Sequence, residues 1–421
     1  MADRPVIAVV YDLGAVSPLT IVDHLEPLGD VLMALRRSEH TELNRALIEE
    51  LATVVDLDPD HDVAAEELRR HRPDALLTFS ETCLGDAAEL AERLGLPFHS
   101  VETVGLLRDK YAMRARLREH GVDAVRSARL EGPADWPAAL AEVGLPAVLK
   151  PATGQGSRDT HLITEEAAGA RLAEELLTGP DAGPMVLEEY LRGRDCGPFG
   201  DYVSVESAVV DGEATHWQVT GKYPLLPPFR EPGQYWPAPI DEAERAAALA
   251  LTTQVIAALG IRTGITHTEL KLTAEGPRLI ELNGRLGGYQ SWLAELAGGL
   301  DPMELAGRIA LGEKVEVGHA PTDRVYFVRS VQTPREGGLL KAVHGLREVL
   351  DLPGVEGATV MSRPGEQLPP TVSTAELVSV TGIVEDHAAM LAVVEQALGR
   401  LTFTIEGPDG ERTLTSAECE V

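Results

Sequence analysis

Polar and apolar side chains alternate with the period of a β-strand through Thr266-His267-Thr268-Glu269-Leu270-Lys271-Leu272. His267, Glu269 and Lys271 therefore share one face, and Thr268, Leu270 and Leu272 the other. A turn around Ala274-Glu275-Gly276 sends the chain back toward Asn283, and a three-residue loop there sets Glu281 directly opposite Glu269. From the start to residue 108 the pattern switches between short apolar strands (Val6–Val10, Thr53–Leu57, Ala75–Phe79, a short Pro97-Phe98-His99) and helices (near Pro18–Leu28, Val63–His71 and Gly85–Leu94). Such alternation predicts a parallel sheet covered by helices.

One helix is predicted from about Val101 to Glu119, stopped at Gly121. Strands follow at Pro146–Pro151, Met185–Leu191, Tyr202–Val210 and Ala214–Thr220, the last two joined through Asp211-Gly212. Asp241 and Glu244 form a capping box for a helix ending before Gly260, and a further helix is expected near Asp386–Leu398. The fold class is thus mixed α/β and α+β. Four parts are expected: an α/β domain over 1–108, a small subdomain over 109–200, a part carrying the hairpin over 201–323, and a closing α+β subdomain over 324–421.

With 421 residues, 44% of them hydrophobic and 25% charged, the chain has material for several proper cores and is not disordered. Acidic residues outnumber basic ones 67 to 37, a net charge of −30, which disfavours nucleic acid and anionic membrane surfaces as partners. A polyanionic ligand must then be met by local basic groups. Cys83, Cys196 and Cys419 have neither metal-site spacing nor an even count, so a reduced, cytoplasmic protein is expected. The apolar run at Val6–Val10 is too short for a signal-peptide core, and no stretch reaches the length of a membrane span.

Two carboxylates facing each other repel unless a cation lies between them. Magnesium takes few protein oxygens and completes its shell with water and phosphate, so Glu269, Glu281 and Asn283 suit a metal carried by a nucleotide; a solvated hairpin is the plainer alternative. Lys150 ends an apolar strand and runs into Gly154-Gln155-Gly156-Ser157-Arg158, a loop whose backbone N–H groups could approach phosphate, or a simple turn. Neither a Walker A loop nor a G-x-G-x-x-G after the first strand occurs. Lys110 and Arg114 share a helix face that either meets phosphate or is merely solvated. Six prolines between Pro224 and Pro239 stiffen a long loop beside Lys222, Arg230 and Glu231, the first two suited to carboxylates and the third to an amine. Tyr289 and Trp292 line a pocket or fill the core.

The ordered set of Lys110, Lys150 with its glycine loop, Glu188-Glu189-Tyr190-Leu191, Glu269 and Glu281-Leu282-Asn283-Gly284-Arg285 resembles the ATP-grasp superfamily across nearly the whole chain. Within it the chain looks most like the bacilysin-type L-amino-acid ligases, through Phe79-Ser80-Glu81-Thr82, Arg108-Asp109-Lys110-Tyr111, Tyr202-Val203-Ser204-Val205-Glu206, Pro227-Pro228-Phe229 and Arg285-Leu286-Gly287-Gly288. The resemblance implies a Rossmann-like pre-ATP-grasp domain, an ATP-grasp lid and core, and a small C-terminal subdomain. It further implies ATP and magnesium, or manganese, as cofactors. Lys110 and Lys150 then contact the phosphates, the loop Gly154, Gln155, Gly156, Ser157 covers them, and Glu188, Glu189, Tyr190 and Leu191 border adenine. Asp195 falls where the family places a ribose-binding Glu. Glu269, Glu281 and Asn283 correspond to magnesium ligands, Arg285 to the residue beside the transferred phosphate, with His267 looking into the site and Gly287 and Gly288 beside the substrates. The implied activity is ADP-forming ligation of amino-acid substrates through an acyl phosphate, and homodimerisation is the family-based expectation. An enzyme activating bicarbonate or formate, a phosphotransferase making a stable ester, and a non-catalytic ATP-binding module remain as alternatives.

Overall fold

The computed structural model describes residues 4–154, 156, 158–180, 182–371 and 373–421. Its first sheet is parallel, in the spatial order Thr53–Asp56, Asp30–Leu35, Val6–Tyr11, Ala75–Leu77. The strand Asp30–Leu35 and the helix Glu39–Leu51 are not among the elements read from the sequence. That strand is buried from Val31 onward on both faces, so it shows no alternation to read. Pro97-Phe98-His99 is no strand; it leads into a helix and leaves His99 buried, with Nε2 2.8 Å from the Gly284 carbonyl oxygen.

The single helix expected from Val101 to Glu119 is two, Val101–Arg108 and Lys110–Glu119. Asp109 breaks it with φ −104° and ψ 104°, and its carboxylate accepts the Tyr111 and Ala112 N–H groups at 3.0 Å each, satisfying two donors that a new helix leaves unpaired. Lys110 thereby becomes the first residue of the second helix, and its own N–H donates to the Ala152 carbonyl at 3.0 Å. Helix and glycine loop are tied together at that point.

A four-stranded antiparallel sheet follows, ordered Ser127–Leu130, Met185–Glu189, Ala147–Pro151, His161–Ile163. Val148 pairs with Glu188, so Lys150 two residues on is the diagonal neighbour of Glu188 on the same face. The largest sheet is antiparallel with eight strands: Gly276–Asn283, Gly264–Thr273, Tyr202–Val210, Glu213–Lys222, Gly233–Trp236, Val325–Gln332, Glu376–Val384 and Val355–Val360. It runs without interruption across residue 324 through the pairing of Gly233–Trp236 with Val325–Gln332. The last sheet comprises Gln367–Leu368, Gly338–His344, Thr402–Gly407 and Gly410–Thr415. One apolar core joins Ile7, Val9 and Tyr11 of the parallel sheet to Trp217 and Ile265 of the large one, with Met303 and Ile309 from the helix Pro302–Ala310 between. Among the described residues no helix is long and apolar enough to cross a membrane.

Glu269 stands opposite Glu281 as expected, but by a different route. Thr273 pairs with Gly276, so the turn holds two residues, Ala274 and Glu275, and this register continues to Leu270 opposite Leu279. Ile280 is then an extra residue, and the bulge shifts the pairing to bring Glu269 to Glu281 and His267 to Asn283. Without the bulge Glu281 would face away from Glu269.

Replacing Asp109 by Ala is expected to cost about 1 kcal/mol of stability through the lost helix cap, read as a lower urea midpoint with an unchanged slope.

Candidate active site

A cavity of about 760 Å³ opens between the small antiparallel sheet and the large one. The first sheet contributes Lys150, Glu188 and Glu189 with the following Tyr190 and Leu191; the second contributes His267, Glu269, Lys271, Glu281 and Asn283. Tyr202, Ser204 and Glu206 lie on the neighbouring strand opposite Lys271, Glu269 and His267. This face is thus polar over two adjacent strands, and the alternation in Tyr202-Val203-Ser204-Val205-Glu206 carried the signal for Glu206, which was not singled out as a site residue.

Glu206 is fully buried. His267 Nδ1 sits 2.9 Å from both of its oxygens, and His267 Nε2 is 3.3 Å from Glu269 Oε1. Burial alone would lower the His267 pKa, but the Glu206 carboxylate and its hydrogen bond carry it up to about 9. Burial would likewise raise that of Glu269, yet the hydrogen bond from His267 and the charge of Lys222 hold it well below the usual carboxylate range. Glu281 has Lys110 Nζ 3.9 Å from Oε2 and receives the Asn283 amide N–H at 3.2 Å on Oε1. Asn283 Oδ1 is left for the Arg285 guanidinium at 3.5 Å, whose Nε pairs with Glu81 at 3.0 Å.

These residues fit magnesium delivered by a nucleotide. Among the described residues no three His, Cys, Asp or Glu side chains converge into a cage of their own, and two carboxylates and an amide oxygen leave the remaining positions to phosphate and water.

The opposite wall is held by Glu188, which takes Lys150 Nζ at 2.8 Å and Arg114 Nε at 3.1 Å. Arg114 also donates to the Leu279 and Ile280 carbonyls at 2.8 and 2.7 Å, so it ties this wall to the bulge of the hairpin that carries Glu269 and Glu281. Burial pushes the Lys150 pKa down and Glu188 opposes that push. For Glu188 itself burial acts upward, but Arg114 and Lys150 overcome it and bring the value to about 2. Lys110 Nζ donates to the Gly154 carbonyl at 2.9 Å. Gly154 and Gly156, with φ of 143° and 67°, adopt backbone that L side chains resist. Gln155 and Ser157 lie outside the described residues.

No family model matches the chain. It is 28% identical over 263 residues to the alanine–anticapsin ligase of Bacillus subtilis, covering 55% of this chain and 54% of that protein. It is 27% identical over 329 residues to carnosine synthase 1 of Homo sapiens, covering 72% of this chain and 39% of that protein. The chain therefore spans about half or less of the length of these curated relatives. Among solved structures, the L-amino acid ligase from Bacillus licheniformis superposes with a TM-score of 0.79 at 20% identity, over 97% of this chain and 100% of that one. The fold is ATP-grasp.

Around the ATP-grasp cavity, some expected site residues are placed elsewhere. Arg230 is fully buried and donates to the carbonyls of Pro227, Thr333 and Glu420 at 3.1, 2.8 and 3.1 Å; it clamps the proline-rich loop to the C-terminus and does not face the cavity. Asp195 accepts the Gly197 N–H at 2.8 Å and lines an adjoining hollow with Arg194 and Cys196; this hollow shares Tyr202 and Lys222 with the main cavity, whose own wall does not include Asp195. A Cβ on Gly287 would fall 2.3 Å from His267 Nδ1, so this glycine makes room for the histidine, while Gly288 lines the cavity. Lys222 is buried and paired with Glu231. Tyr289 and Glu376 complete that end, and Trp292 packs into an apolar cluster beside Tyr289.

Glu188→Gln leaves two buried cations without their shared partner and is expected to cost about 3 kcal/mol at pH 7. The folded-state pKa of Glu188 is depressed, so this contribution is complete above the unfolded value near 4.5 and fades as pH falls toward 2. Urea titrations of both proteins at several pH values should show the gap closing only on the acid side.

Proposed function

We propose that this protein is an ATP-dependent, magnesium-requiring carboxylate–amine ligase that joins amino-acid substrates into an amide and releases ADP and phosphate. The observation that carries this reading is the register of the bulged hairpin, which sets Glu269 against Glu281 in one cavity with Lys110, Lys150 and the glycine loop. Likeness to ligases named for alanine and anticapsin, for carnosine and for L-amino acids supports the choice of acceptor chemistry.

Glu269, Glu281 and Asn283 would hold the metal, which when bound neutralises charge on the phosphates. Lys110 and Lys150 would orient the triphosphate, and Arg285, which lines the cavity and pairs with Glu81, would act beside the transferred phosphate. A donor carboxylate oxygen forms a bond to the γ-phosphorus as the bond to ADP breaks, giving an acyl phosphate. The amine nitrogen then bonds to the acyl carbon, phosphate departs with the bonding pair, and the amine loses a proton to solvent or a cavity base. Positioning and charge neutralisation suffice for the first transfer, so no side-chain nucleophile is required. The acyl phosphate must be kept from water, a task suited to the glycine loop and to Leu225 and Phe229 of the proline-rich loop, which line the cavity.

ADP release measured with free amino acids, singly and in pairs, should depend on amino acids and yield a coupled product by mass spectrometry. Amino-acid-independent turnover stimulated by bicarbonate or formate would favour the carboxylase or purine-pathway alternative. A stable phosphate ester would favour a phosphotransferase, and nucleotide binding without turnover a regulatory module. Glu269→Gln and Glu281→Gln should each lower turnover by roughly two orders of magnitude or more with little change in Tm. A Tm loss as large as that of a core mutant would instead assign these residues to structure.

A further inference from the structure

Acidic and basic side chains lie together where Lys222, Glu231 and Glu376 line the cavity. Lys222, fully buried, lies within the influence of both Glu269 and Glu231, and its ammonium is paired with Glu231. Glu376 enters the same cavity from the first position of a strand of the C-terminal quarter. Glu231 takes Lys222, whereas the only hydrogen bond to the Glu376 carboxylate among the described residues comes from Ser379 Oγ at a long 3.5 Å. Tyr202 lines the same cavity, is 3% exposed, and its phenol faces the Glu231 and Glu269 carboxylates. A half-buried carboxylate in the cavity wall with no ion-pair partner among the described residues forms an incomplete polar site that a cationic ligand would complete.

We infer that Glu376 anchors the ammonium group of the carboxylate-donating amino acid. This rests on the ligase reading above. The donor carries two reactive groups, a carboxylate to be phosphorylated and an amine that must not attack. A carboxylate beside that amine holds it in the protonated, non-nucleophilic form. The same carboxylate next to the acceptor amine would oppose the loss of its proton, so the site belongs to the donor. The charges agree: Lys222, paired with Glu231 and within the field of Glu269, lines the cavity together with Glu376, so a zwitterion bound there meets a cation for its carboxylate and an anion for its ammonium. Repulsion between Glu376 and Glu231, added to burial, carries the Glu376 pKa up to about 7, and an arriving ammonium relieves both.

The test compares wild type with Glu376→Gln, an isosteric change, and Glu376→Asp, which keeps the charge. Binding of the twenty free amino acids and of matched desamino acids, such as propionate against alanine and 3-phenylpropionate against phenylalanine, is measured by calorimetry with magnesium and a non-hydrolysable ATP analogue. ADP release is followed in parallel. Wild type is expected to prefer the ammonium-bearing acid by about tenfold or more, the usual span of a charge-assisted hydrogen bond, and the Gln variant to lose that preference while its KM for ATP is unchanged. The Asp variant should retain part of it. A Gln variant that folds with normal Tm and keeps the full preference overturns the subsite while leaving ligation intact. Preference lost in the variant, with no ADP release by wild type, upholds the subsite and overturns the ligase reading. Failure of wild type to bind any amino acid overturns both.

Discussion

Everything in the cavity depends on two glutamates held side by side against their mutual repulsion. A carboxylate pair directly across a hairpin is unfavourable by itself, and the fold sustains this one by ringing it with cations. His267 bonds Glu269, Lys222 adds its field from the next strand but one, and Lys110 approaches Glu281 from the second of the two helices after the parallel sheet. Each of those cations is itself fixed by another group: His267 by Glu206, Lys222 by Glu231, and Lys110 by the Gly154 carbonyl and the helix start at Asp109. The site is a charge network anchored in sheet register, and a bound divalent cation would replace repulsion by shared coordination.

Register does further work through Arg114. At the bulge the buried guanidinium donates to the Leu279 and Ile280 carbonyls while reaching Glu188 on the other wall. One side chain thus couples the hairpin that carries Glu269 and Glu281 to the lysine-bearing sheet. This explains why a residue so deeply buried is charged: its donors are spent on carbonyls and on a carboxylate that also fixes Lys150.

The hairpin, the glycine loop and the strands bearing Lys150 and Glu188 were legible in the sequence because each combines a local periodicity with residue types of narrow use. The helix break at Asp109 was not, since an Asp inside an apolar-periodic stretch reads as one more polar position until its cap is seen. The Asp30–Leu35 strand was hidden because burial on both faces erases alternation. Arg230 drew a substrate role from a functional-looking loop, yet its partners Thr333 and Glu420 are distant in sequence and unreadable from it. Glu376 was missed for the converse reason: it belongs to the C-terminal quarter, whose strands add to the large sheet beyond residue 324 and bring a carboxylate into a cavity built mostly by earlier residues. The hairpin register was anticipated through a loop one residue too long, the bulge making up the difference.

The most direct measurement is a crystal structure grown with manganese and a non-hydrolysable ATP analogue, with the metal located from its anomalous signal. Metal bound to oxygens of Glu269, Glu281 and the triphosphate at about 2.0–2.2 Å, with Lys150 on the phosphates, is the expected result. Nucleotide seated in the cavity with its metal away from both glutamates, or those side chains turned to opposite faces of the hairpin, would contradict the account.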